Sequence, residues 1–254
     1  MFGLEIWQIV MAFGVTFFAG FVKGAIGFAM PMIMLSAFGS ILPPTTALAA
    51  LIIPTLITNI QQAFRQGWRE AWISIVAFRW HIGVLLVFIC VSAGFAQAIP
   101  QGLMYALLGV PIVCFAIWQL SGRPLDLSMH HRRRAEIGTG IIGGLYGGIS
   151  GIWGPPLIVL LLSLGVDKRE QIRVQGVVFL LGAVVLTVAH LTSGVLNSQT
   201  LPFSAALVAP AVAGMLAGFV LQDKLDVVQF RRWTLVLLIL SGLNLVRRAF
   251  EFWI

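Results

Sequence analysis

Apolar stretches long enough to cross a lipid bilayer fill most of this chain, and two of them are interrupted by clusters of glycine and proline. The runs fall at 5–22, 28–39, 45–64, 71–95, 102–121, 137–150, 152–163, 173–192, 201–221 and 230–249. A helix needs about 20 residues to span a hydrocarbon core of about 30 Å. Six of the ten runs reach that length. The run 28–39 does not: twelve residues rise only ~18 Å. Gly20, Gly24, Gly27 and Pro31 interrupt the stretch 5–39, and Gly143, Gly144, Gly147, Gly148, Gly151, Gly154, Pro155 and Pro156 interrupt 137–163. Glycine and proline weaken a helix and permit turns, so each stretch reads as a broken pair of short helices.

Composition removes the competing classes. Of 254 residues, 59% are hydrophobic and 10% charged, against about 25% charged in an ordinary soluble domain. The net charge of +7 comes from short gaps between apolar runs, where it bears on membrane orientation and not on nucleic acid. Cys90 and Cys114 lie inside apolar runs without metal-ligand spacing and read as small buried hydrophobes. The apolar run that follows Met1 continues past the length of a cleaved signal and reads as a retained first helix.

The two interrupted stretches are related. At an offset of 124 residues, Gly14, Gly20, Gly24, Gly27 and Pro31 fall on Gly138, Gly144, Gly148, Gly151 and Pro155, and Gly94 falls on Gly218. With 27 glycines in 254 residues, a single such match is an accident of roughly one in nine; several in one register indicate an internal repeat. The expected organisation is a first membrane repeat, 1–121, a basic linker, 122–136, and a second repeat, 137–254. Each repeat would hold one broken pair and three long transmembrane helices.

Charge then orients the halves. The connections 65–70, 122–136, 164–173 and 222–232 carry two, four, three and three Lys/Arg, whereas 40–46, 96–101 and 193–200 carry none. Basic loops are cytoplasmic. Two of them, 122–136 and 164–173, follow one another, so the segment between them enters the membrane and returns. The same logic makes the first broken pair re-enter from outside and the two repeats inverted. Arg247 and Arg248 fall on the outer side in this scheme and run against it. The expected fold is therefore all-α, a polytopic integral membrane protein of two inverted repeats.

Inverted repeats with paired helix breaks point to a secondary transporter. The expected site lies where the two breaks face each other, with the free N–H groups and positive dipole ends of the returning short helices, which begin near Phe28 and Ile152, favouring a negatively charged ligand. All nine acidic residues, among them Glu5, Glu70, Asp126, Glu136, Asp167 and Asp223, fall at or near membrane boundaries. That placement disfavours a carboxylate-based cation pump. It leaves the membrane potential, about 2.3 kcal/mol per charge per 100 mV, as a driving force for anion exit.

Lys23 is the basic residue at the first break, and the alternatives are an anion partner or a lysine reaching to the nearer interface. Asn59 is a candidate ligand by its amide or an interhelical hydrogen bonder. Arg173 is an oxyanion ligand or a positive-inside anchor, and His81 and His190 read as hydrogen-bonded residues near helix ends. Trp7, Trp68, Trp72 and Trp253 fit interfacial belts, while Trp153 sits at the second break beside the hydroxyls of Tyr146 and Ser150. The candidate substrate-binding set is Lys23, Gly24, Gly27, Phe28 and Asn59, with Tyr146, Gly148, Ser150, Gly151, Ile152 and Trp153 from the second break. No catalytic residue, metal site or cofactor is expected. The expected partners are the lipid bilayer and a small anion, without nucleic acid, and homo-oligomerisation is left open. The rival readings are a membrane-embedded phosphatase or transferase, and a non-transporting structural subunit.

The segments Gly20-Phe21-Val22-Lys23-Gly24-Ala25-Ile26-Gly27-Phe28-Ala29-Met30-Pro31 and Gly144-Leu145-Tyr146-Gly147-Gly148-Ile149-Ser150-Gly151-Ile152-Trp153-Gly154-Pro155 resemble the duplicated glycine-rich signature of the sulfite exporter TauE/SafE family. Where that signature usually carries a glycine triplet before the proline, this chain reads Phe28-Ala29-Met30 and Ile152-Trp153-Gly154. The resemblance implies a multi-pass permease of the bacterial inner membrane, exporting small sulfur-containing anions such as sulfite or sulfonates.

Overall fold

The computed structural model describes residues 5–96, 98–122, 132–166, 168–221 and 226–252. Most of the basic linker, together with Asp126, Asp167, Asp223 and Trp253, lies outside them. The described chain is helical, without strands: α1 (Ile6–Ile26), α2 (Met30–Gly39), α3 (Pro44–Phe64), α4 (Trp68–Ala77), α5 (Arg79–Ala93), α6 (Gln101–Ser121), α7 (Arg132–Ser150), α8 (Gly154–Ser163), α9 (Lys168–Thr192), α10 (Leu201–Ala206), α11 (Val208–Leu221) and α12 (Val227–Glu251). Six spans are long and apolar enough to cross a membrane, namely α1, α3, α6, α9, α12 and the α10–α11 segment taken as one. The two short helices after the glycine clusters, α2 and α8, are ten residues each.

The helices gather into two compact units, each drawing on both halves of the sequence. The first comprises 1–54, 97–123 and 195–254, and the second 55–96 and 124–194. Helix α3 contributes to both, and Pro54 stands at the division. Proline cannot donate to the carbonyl four residues back. That carbonyl, on Ala50, instead accepts from the Ser204 hydroxyl at 3.2 Å, and the same hydroxyl oxygen accepts from the Ile53 N–H.

Within the first unit α1 and α11 run parallel with their backbones in contact. A side chain on Gly20 or Gly24 would meet the carbonyls of Ala211 and Met215, and one on Gly218 would meet that of Phe21. Helices α6 and α12 pack antiparallel where Gly109 meets Gly242. Helix α2 turns back toward the start of α1, since Gln8 Nε2 donates to the Ile41 carbonyl at 3.4 Å.

Within the second unit α5 and α7 also run parallel and close. A Cβ on Gly140 would stand 2.9 Å from the His81 carbonyl, and one on Gly144 would stand 2.7 Å from that of Leu85. The Ser92 hydroxyl donates to the Gly144 carbonyl at 3.0 Å. The starts of α7 and α9 both dock on α4: Arg132 Nη2 donates to the Ala77 carbonyl, and Arg173 Nη1 pairs with Glu70 at 2.7 Å. A ten-residue helix is only about 15 Å long, so the chain between these anchors leaves and comes back.

The packing revises three sequence expectations. The run 71–95 is not one straight span: α4 and α5 meet at 83°. No glycine or proline causes the bend. Arg132 takes the freed Ala77 carbonyl and places its guanidinium 5.3 Å from the Phe78 ring centroid. The 124-residue register does not hold through the later helices either. Gly20 meets Ala211 where Gly144 meets Leu85, an offset of 126, so Gly218 corresponds in packing to Ser92 and not to Gly94. Finally, Cys90 and Cys114 are exposed. In a bilayer an outward-facing thiol meets lipid, so apolar character does not report burial there.

Candidate functional site: two interrupted helices

The first break is built from two left-handed residues. Gly27 ends α1 at φ 87°, with its N–H donating to the Lys23 carbonyl at 2.8 Å. Ala29 precedes α2 at φ 77° and is the only non-glycine residue with positive φ among those described. Pro31 then fits the first turn of α2, where no N–H is required. Lys23 lies in the last turn of α1, at the negative end of the helix dipole, and is 2% exposed. Its side chain is enclosed by the described residues around it. Phe28 is buried as well, and Gly24 is filled against α11.

Left-handed backbone at a residue bearing Cβ costs roughly 1–2 kcal/mol, and a branched Cβ raises the cost. Ala29→Val is expected to destabilise the protein by about 2 kcal/mol, whereas Ala29→Gly should unfold at or above the wild-type temperature. Thermal unfolding in detergent checks the pair. An Ala29→Val protein as stable as wild type would contradict the left-handed turn.

The second break closes on itself differently. Gly151 is left-handed at φ 71°. The N–H of Ile152 donates to Ser150 Oγ at 3.0 Å, so it does not reach the Gly148 carbonyl four residues back. That carbonyl lies 2.8 Å from His190 Nε2. A carbonyl cannot donate, so Nε2 carries the proton, and in neutral His190 the Nδ1 atom accepts from Ser193 Oγ at 3.2 Å. The Ile152 N–H and the Gly148 carbonyl are thus each met by a side chain. The Ile152 N–H, expected to be available to an anion, is occupied. Two of the first positions of α8 are Pro155 and Pro156, which have no N–H at all.

Trp153 fills the space behind this break. It is 3% exposed. Its ring lies edge-on to Phe179 with centroids 6.4 Å apart, and a Cβ on Gly182 would stand 2.7 Å from the indole. Asn59 Nδ2 donates to the Phe179 carbonyl at 2.9 Å. The structure therefore links Asn59 to Trp153 through one residue of α9. Tyr146 is half-buried and its carbonyl accepts from Ser150 Oγ. Lys23, Gly24, Gly27 and Phe28 belong to the first unit; Asn59, Tyr146, Gly148, Ser150, Gly151, Ile152 and Trp153 belong to the second.

Arg173 is engaged by Glu70, Glu170 and Ser74, so its fork is spent on fixing α9 to α4. Glu136 is 3% exposed and pairs with Arg132 at 2.8 Å, deeper than its boundary position in the sequence suggests. Sequence reasoning missed the bonds that close the second break, from Ser150 and from His190. The signal was present only as a histidine in an apolar run and a serine one residue before a glycine.

An all-helical chain with six candidate membrane spans and two interrupted helix pairs has the build of a polytopic membrane transporter. Residues 12–245, nearly the whole chain, match the sequence model of the sulfite exporter TauE/SafE family. The protein belongs to that family of membrane transporters. No curated protein and no solved structure shows significant similarity to the chain.

Proposed function

We propose that the protein exports a small sulfur-containing or organic anion, such as sulfite or a sulfonate, across the bacterial inner membrane by alternating access, with the two helix breaks as its working parts. The observation that carries this reading is Lys23. Its amine-bearing side chain is enclosed one turn before the left-handed break, and a lysine amine there donates hydrogen bonds of the kind an oxyanion accepts. Packing accounts for Gly24 and Gly148, as a purely structural subunit would require. The family's character as transporters weighs against a phosphatase or transferase.

The halves 1–121 and 137–254, joined by 122–136, are proposed as inverted repeats. Three observations support this. The same sequence of long, short and long helices follows each half's start; α1 with α11 and α7 with α5 repeat one parallel packing; and the basic ends of α7 and α9 meet on α4. At the first break the proposed ligand is Lys23, with Phe28 as a wall; at the second it is Asn59, with Trp153 as a wall and Tyr146 and Ser150 as the neighbouring hydroxyls. Gly24, Gly27, Gly148, Gly151 and Ile152 shape the backbone that holds them.

Proteoliposomes holding the purified protein should show sulfite or sulfonate flux that rises with a potential negative on the side of anion entry. A folded and correctly inserted preparation without flux of any small sulfur oxyanion would defeat the proposal.

A further inference from the structure

Arg247 and Arg248 stand at the end of the first unit occupied by the connections that carry no basic residue. Arg248 Nη1 donates to the Gly39 carbonyl at 2.8 Å, at the close of α2, and to the Tyr105 hydroxyl at 3.0 Å, at the start of α6. Positive charge there runs against the orientation rule and calls for a local reason. Capping the end of α2 is one such reason, but it uses a single nitrogen of the guanidinium. Among the described residues, Nε and Nη2 have no protein acceptor.

These nitrogens belong to a side chain that lines an open cleft of about 380 Å³, together with Ile41, Leu42, Gln101, Tyr105 and Phe252. The guanidinium carbon lies 5.6 Å from the Tyr105 ring centroid, so the group is held from two sides. Glu251 also borders the cleft, but Arg247 takes its carboxylate at 2.7 Å. Two arginines against one glutamate leave one positive charge unbalanced.

We propose that this cleft is a second anion site, distinct from the helix breaks, and that it takes a small alkylsulfonate or carboxylate. Two parallel N–H donors from one guanidinium match a pair of oxyanion oxygens. The Gln101 amide adds a neutral donor, and Ile41, Leu42 and Phe252 offer apolar walls to a short alkyl group. Because Arg248 is bonded to the last residue of α2, the helix that returns from the first break, an anion held here bears directly on that helix.

Methanesulfonate titrated calorimetrically into the full chain in lipid nanodiscs tests the assignment. Two binding events are expected in the wild type. Arg248→Gln should weaken one of them at least tenfold. Ile41→Trp, which fills the cleft while sparing the arginine, should weaken the same event. Lys23→Met should leave that event within twofold of wild type, which separates this site from the one at the breaks. Should Arg248→Gln fail to fold, Ile41→Trp carries the test alone. An Ile41→Trp protein that binds as the wild type does overturns the proposal, as does a wild type in which every binding event is lost with Lys23→Met.

Discussion

Gly24→Val is expected to lower the stability of the folded protein by about 3 kcal/mol, the upper part of the range for overpacking a filled contact. A Cβ at Gly24 would fall on the Met215 carbonyl oxygen and within 3.0 Å of the Gly218 Cα. Both obstacles are backbone, so no rotamer change relieves them. The helices α1 and α11 must part. For a chain of this size the loss corresponds to a fall of roughly 6–12 °C in unfolding temperature. Gly14 and Gly138 provide the control, since they belong to the same 124-residue register yet have nothing within 4 Å. Gly14→Ala should unfold at or slightly above the wild-type temperature, because alanine favours helix. Equal melting of Gly24→Val and wild type would mean that the close parallel packing is wrong.

Lys23→Met should separate anion binding from folding. The substitution keeps a side chain of similar length and removes the amine from a buried position. Anion affinity at the break should fall at least tenfold, equivalent to about 1.4 kcal/mol, since a charge-assisted hydrogen bond is lost. Thermal unfolding with and without sulfite reads that loss as a smaller ligand-induced shift. A variant that keeps the full sulfite-induced shift would return Lys23 to a purely structural role at the end of α1.

The membrane class and the two breaks were legible because their causes are local. Length of apolar run decides whether a helix can span, and Gly27 and Gly151 adopt the left-handed turn that glycine tolerates best. What escaped was set by distant partners. The bend at Phe78 has no local cause and depends on Arg132, more than fifty residues along the chain. The offset of 126 shows only in which residues the packed helices bring together. Ser204 and His190 look alike as isolated polar residues in apolar runs. Each proves to satisfy one carbonyl that a proline or a break set free, and which carbonyl is known only once the helices are packed.

At the site, the position of Lys23 beside a glycine cluster was readable, but its burial was not. A lysine four residues from a helix end can point either way, and the neighbours that enclose it come from elsewhere in the chain. The availability of the Ile152 N–H was misread for a related reason. Helix-end arguments count unpaired groups along one segment, and here Ser150 had already taken the donor.

His190, near the end of α9, donates to the Gly148 carbonyl on α7, just before the left-handed turn at Gly151. A shift of α9 along α7 must therefore break that bond or carry the turn with it, so the second break is geared to a helix end far along the chain.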